Sequence, residues 1–111
     1  MALALNVFRT VTAALSTVST TAYTAPVSYT GIVLLAQIAN VNGTAGTVTV
    51  SVTTQDSTTT ELLKNFPVAA DDSVSAVSGK LVIMSGCELK VSADANSKYK
   101  ITLSILESAN E

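Results

Sequence analysis

From Thr47 to Thr53 the chain reads TVTVSVT, hydroxyl and branched apolar side chains alternating without a break. Successive side chains of a strand point to opposite faces. A period of two therefore turns Val48, Val50 and Val52 toward a core and Thr47, Thr49, Ser51 and Thr53 toward solvent or a neighbour. A helix would scatter the same valines around its circumference. This vocabulary fills much of the chain: Thr and Ser supply 29 of 111 residues and Val another 14. Branched side chains lose χ1 freedom in helices and fit the pleat of a half-buried sheet.

The remaining segments extend that reading. Ile32 to Ile38 is a nearly continuous apolar run, which predicts a central strand covered on both faces. Asn42-Gly43 follows, a pair that favours the positive φ of a tight turn, so this strand and Thr47–Thr53 are expected to form an antiparallel hairpin, with Thr44 to Gly46 able to lengthen its loop. Shorter strands are expected over Ser73–Val77, Lys80–Met84 and Glu88–Ser92, punctuated by Gly79 and by Ser85-Gly86. The last strand runs from about Tyr99 to Glu107, after a turn at Asp94–Ser97. It places Ile101, Leu103 and Ile105 on one face, opposite the valine layer in a common core.

Two segments carry mixed signals. Thr58-Thr59-Thr60-Glu61 matches a helix capping box, but Asn65 and Pro67 come too soon for a helix of ordinary length, and a strand over Thr59–Phe66 is expected. Leu5 to Val18 shows helical spacing at Leu5, Phe8, Val11 or Thr12, and Leu15, yet its Thr and Val content favours a strand. Pro26 closes a strand around Ala22–Thr24, because proline cannot donate to a ladder. Val68 to Asp72 reads as a crossing between sheets. Eight or nine short strands so spaced predict an all-β antiparallel sandwich with Greek-key or jelly-roll connections. Residues 7–111 form its single domain and residues 1–6 an N-terminal arm.

What the chain lacks limits its chemistry. With no His there is neither a Ser-His-Asp triad nor a Cys-His pair, and one Cys leaves too few ligands for zinc. Asp71-Asp72 and Asp94-Ala95-Asn96 have carboxylates without the spacing of a calcium loop, and read as turn residues. The five glycines stand singly, so no phosphate cradle is present. Asn42-Gly43-Thr44 matches a glycosylation sequon but reads as a turn. A non-enzymatic protein without cofactor or small-molecule substrate is expected.

A net charge of −2 argues against nucleic acid, which demands concentrated Lys and Arg, and Lys90, Lys98 and Lys100 read as a solvated strand face. No unbroken apolar run is longer than Ile32–Ala36, which is far short of the roughly 20 residues that span a bilayer. No membrane partner is expected, nor a secretory signal, because no basic segment precedes the first apolar residues. Cys87 reads as a small core residue. The aromatics Phe8, Tyr23, Tyr29, Phe66 and Tyr99 read as core plugs and sandwich edges. The uncharged start of the chain would expose apolar surface at about 25 cal/mol per Å². Met1, Leu3, Leu5 and Val7 are accordingly candidate intersubunit contacts.

The succession AYTAPVSYTGIVLLAQIANVNG (Ala22 to Gly43), TVTVSV (Thr47 to Val52), ELLKNFPVAADDS (Glu61 to Ser73), GKLVIMSGCELKVSADA (Gly79 to Ala95) and ITLSILE (Ile101 to Glu107) resembles small virion structural proteins of tailed bacteriophages, those of marine cyanobacteria in particular. The resemblance spans nearly the whole chain and consists of strand and turn grammar without a catalytic signature. Members commonly carry an acidic residue where Met84 stands and an aspartate where Cys87 stands, so this chain is less charged there. The resemblance implies a non-enzymatic, antiparallel β subunit present in many copies in the virion. Its partners would be other copies of itself and other virion proteins, as a capsid-decorating or neck/tail accessory subunit. The alternative is a receptor- or carbohydrate-binding β-sandwich module of a tail or head fibre.

Overall fold

The computed structural model describes residues 6–77 and 79–109. Nine strands follow one another: β1 (Asn6–Ala14), β2 (Thr20–Thr24), β3 (Tyr29–Asn40), β4 (Gly46–Thr53), β5 (Thr59–Val68), β6 (Ser73–Ser75), β7 (Leu81–Ile83), β8 (Glu88–Ala93) and β9 (Tyr99–Ala109). They form two antiparallel sheets. The first has the order β1-β9-β3-β6, with β7 also paired to β3, and the second the order β2-β8-β4-β5. Only β4–β5 and β6–β7 are sequential strands of the same sheet; every other connection passes from one sheet to the other. The all-β sandwich expected from the alternation is the fold observed.

The core lies between the sheets. Val48 and Val50 of β4 and Leu89 and Val91 of β8 point inward from the second sheet; Val33, Ala36 and Ile38 of β3 and Ile101, Leu103 and Ile105 of β9 do so from the first, and all are buried. Val52 packs against them from a partly buried position. Cys87 is buried as expected, in a turn where its N–H bonds to the Met84 carbonyl and its own carbonyl accepts from Ala25 N–H.

Three sequence expectations need correction. The hairpin between β3 and β4 does not form: β3 pairs with β9, β6 and β7, whereas β4 pairs with β5 and β8 in the other sheet. A two-residue type I′ turn needs positive φ at both central residues, and neither Asn42 nor Gly43 has it. Instead the buried Asn40 amide donates to the carbonyls of Thr44, Val68 and Ala69, while its oxygen accepts from Asn42 N–H. Those bonds fasten the loop after β3 to the crossing after β5, which passes between sheets as expected.

The second correction concerns β3, which is covered on one face only. Its register against β9 shifts between Val33 and Leu35, so Val33 and Ala36 both point inward and two leucines fall between them. Leu34 and Leu35 remain 40% and 38% exposed. Third, Lys98 is no part of a solvated strand face. Its stem is buried, its ammonium donates to the Ala45 carbonyl at 2.7 Å, and it lies 5.5 Å from the centre of the Tyr99 ring.

Candidate functional site

The terminal strands of the two sheets differ in how they meet solvent. β1 pairs with β9 from Asn6↔Ser108 to Ala14↔Lys100 with no register shift. As the last strand of its sheet it presents an opposite row of backbone N–H and C=O groups to which no other strand is paired among the described residues. It contains no proline, no bulge and one charge, Arg9. That charge is drawn inward: Arg9 Nε lies 3.7 Å from Glu107 Oε2.

Glu107 is buried on β9 and also accepts a 2.7 Å hydrogen bond from the Tyr23 hydroxyl. Tyr23 belongs to β2 in the other sheet, so the Arg9–Glu107–Tyr23 chain ties the sheets together beneath the β1 edge. Burial first, and then the hydrogen bond to Glu107 and its charge, push the Tyr23 phenol well above its ordinary value. Gly31 makes room for that ring. A β-carbon there would stand 2.5 Å from the tyrosine hydroxyl, so the close approach requires glycine.

On the outer face of the first sheet, register aligns an apolar row across four strands. Phe8 of β1 is opposite Leu106 of β9, Leu106 is opposite Ile32 of β3, and Ile32 is opposite Val82 of β7. Cross-strand neighbours of this kind contact one another. Phe8 at the open end is 76% exposed and Val82 is 55% exposed. Leu34, Leu35 and Met84 widen the exposed apolar surface around the row. The outer face of the second sheet is different: its rows are Thr49–Ser92, Ser51–Lys90 and Thr53–Glu88, hydroxyl and charge throughout.

Of the candidate contact residues, Met1, Leu3 and Leu5 lie outside the described residues. Val7 lies in β1 opposite Glu107, half-buried on the side that carries Val11 and Ala13. Asn6, the last residue of the expected arm, is already paired in β1. Phe8 is on a sandwich edge as expected, yet it points outward. Its even number set it out of phase with Val7, Val11 and Ala13, and that was the sequence signal for an outward ring.

The other polar groups hold the fold. Tyr99 donates to Asp94 Oδ1 at 3.1 Å; burial, followed by this bond and the Asp94 charge, pushes its phenol up to about 12. Asn96 Oδ1 accepts from Thr17 N–H and Asp72 Oδ1 from Ser73 N–H, roles suited to turn residues. Among the described residues no three His, Cys, Asp or Glu side chains converge on a possible metal position, and no helix is long and apolar enough to cross a membrane.

The chain is thus an antiparallel β-sandwich with one sheet edge open and an apolar row running up to it. No protein-family model matches it, and no curated protein does either. Among solved structures it is similar to a pentameric capsid protein isolated from metagenomic phage sequences and solved by iodide SAD phasing. That likeness has a TM-score of 0.45 and 19% identity, and covers 89% of this chain and 61% of the other. A second structure of a pentameric capsid protein from metagenomic phage sequences gives a TM-score of 0.45 and 19% identity, over 89% of this chain and 60% of the other. The chain therefore spans less than two thirds of the length of the solved chains it matches.

Proposed function

We propose that this chain is a non-enzymatic structural subunit of a bacteriophage particle, present in many copies, which associates with itself and with other virion proteins. The observation that carries the self-association is the open β1 edge with Phe8 exposed beside it. An unprotected edge is a template for another strand, and an isolated monomer would leave its backbone groups to water. The virion setting is supported by the sequence resemblance set out above. Within the particle the subunit serves as a capsid decoration or a neck or tail accessory. The arm, residues 1–6, contributes Met1, Leu3 and Leu5 to the contact together with Val7.

The fibre-module reading has less support. A glycan platform needs exposed aromatic faces beside acids and amides. Here the Tyr23 and Tyr99 hydroxyls are turned inward onto Glu107 and Asp94, and Phe8 heads the apolar row of Leu106, Ile32 and Val82, with no acid in it. Mass spectrometry of purified particles, with antibody labelling in electron micrographs, tests the proposal. Many copies per particle at a fixed location are expected. Absence from purified particles would overturn it.

A further inference from the structure

We propose that two copies join through β1, strand against strand and antiparallel, about a two-fold axis beside Phe8. This rests on the reading of the chain as a self-associating subunit and specifies the contact. The choice of edge follows from the alternatives. β5 is the other long terminal strand, and it carries Pro67, two register shifts against β4 and a positive φ at Asn65. These devices prevent a further strand from pairing. β2 has five residues, and β6 and β7 have three each. Among the described strands only β1 is a long, regular sheet edge.

The choice of a second copy as occupant follows from the sequence around Phe8. Counting outward from it, NVFRT (Asn6 to Thr10) can face its own copy without bringing like charges together. Pairing Phe8 with Phe8 sets Asn6 opposite Thr10 and Val7 opposite Arg9. Residues of one face then meet residues of the same face, as the pleat demands. The exposed Phe8 ring meets its own copy, the polar Asn6 meets a threonine, and Val7 meets the aliphatic stem of Arg9. An isologous contact requires this kind of self-matching, whereas an unrelated strand would not.

Charge selects the register. Shifting the axis by one residue to Arg9 would bring two arginines directly opposite, which is unfavourable. Shifting it to Thr10 would set Phe8 against Thr12 and lose the aromatic pair. With the axis at Phe8, each Arg9 keeps Glu107 as its partner and lays its aliphatic stem against Val7. The two exposed rings stack or meet edge to face.

Cysteine cross-linking in the full-length chain tests the register, with Cys87→Ala as background. Paired strand residues have α-carbons about 4.5–5.5 Å apart, inside the range a disulfide can bridge. Phe8→Cys should therefore give a covalent dimer on mild oxidation. Thr10→Cys should not, since its two copies would stand about 14 Å apart at about 3.4 Å per residue. Because Phe8→Cys removes the ring pair, Asn6→Cys and Thr10→Cys chains should also be mixed. They should cross-link to each other and not to themselves. If sedimentation shows self-association but neither pairing cross-links, or Thr10→Cys cross-links alone, the β1 contact is wrong while the subunit reading stands. If the unmodified protein stays monomeric at every concentration and nothing cross-links, both fail.

Discussion

β1 and β5 are both long terminal strands of one sandwich, yet they are built to opposite ends. β5 spans ten residues with Glu61, Lys64 and Pro67 in it, and its register against β4 shifts twice. β1 spans nine, and its register against β9 never shifts. Each carries a phenylalanine that reaches solvent, but Phe66 is 39% exposed and opposite the core residue Val48, whereas Phe8 is 76% exposed on the outer face. A chain that protects one edge this thoroughly can be expected to protect another unless something pairs there. The difference is the physical basis for assigning β1 to assembly and β5 to solvent.

The comparison presupposes that both edges hang on the same core, and the largest expected effect tests that frame. Leu103 is fully buried on β9, the strand that holds β1. Leu103→Ala should cost about 2–5 kcal/mol of unfolding free energy, depending on how far the site collapses. A chemical-denaturation loss below about 0.5 kcal/mol would mean that β9 does not anchor β1 to the core.

The next effect separates the edges directly. Phe8→Lys would place two ammonium groups against each other at the β1 contact and should weaken self-association by about a hundredfold, equivalent to about 2.7 kcal/mol. Phe66→Lys should leave it within about threefold. Sedimentation over a concentration series measures both, with circular dichroism confirming that each variant folds. An equal effect from Phe66→Lys would erase the distinction.

A somewhat smaller effect tests the tie beneath β1. Tyr23→Phe leaves the buried Glu107 without its hydroxyl donor, and an unmet buried acceptor costs about 1–3 kcal/mol. β5 is tied to the other sheet at its last residue, where the buried Asn40 amide donates to the Val68 carbonyl, and its remaining side-chain links, Thr53–Thr59 and Asn65 N–H to Thr49, are exposed. Thr59→Val should therefore cost far less than Tyr23→Phe in the same denaturation assay. Equal losses would show that the β1 edge receives no special support.

Much of this architecture was legible in the sequence because one period decided it. The alternation at Thr47–Thr53 and Tyr99–Glu107 set strand, face and core together, and Pro67 and Asn65 ruled out the helix that the capping box suggested. The misreadings arose where a local signal met a tertiary partner. Asn42-Gly43 is a hairpin signal only if Asn40 leaves the loop free, and its amide instead binds Thr44, Val68 and Ala69. The apolar run in β3 implied two covered faces because a bulge between Val33 and Leu35 has no sequence mark. Lys98 became a core-facing side chain through Ala45, more than fifty residues away. The apolar start was visible as a candidate contact and the phase of Phe8 against Val7 and Val11 was there to be read, but the apolar row it heads emerged only with its register against Leu106.

At the opposite end from the β1 tie, Tyr99 gives a pH effect of definite sign. Its phenol titrates at 10.0 when unperturbed and near 12 in the fold. The unfolded chain therefore loses this proton first as pH rises. The contribution is fully present below about pH 10 and falls away as pH passes from there through about 12. Tyr99→Phe should make the stability curve less steep over that window, leaving the fall contributed by the likewise raised Tyr23 phenol. A wild-type curve already flat between pH 10 and 12 would contradict the shift.

The smallest expected effect is no change at all, and it bears on where the interface is not. Cys87 is buried in the turn between β7 and β8, beside Thr54, Gln55 and Met84, and none of these is on β1. A buried structural thiol is slow to react because reagent must wait for a local opening, so alkylation should be slow in the native protein and fast after denaturation. Association through β1 leaves this turn uncovered. The native labelling rate should then be the same above and below the concentration at which copies associate. A rate that falls several-fold on association would place the contact over the β7–β8 turn and the exposed Met84, and would transfer to that end of the sandwich the role the open edge gives to β1.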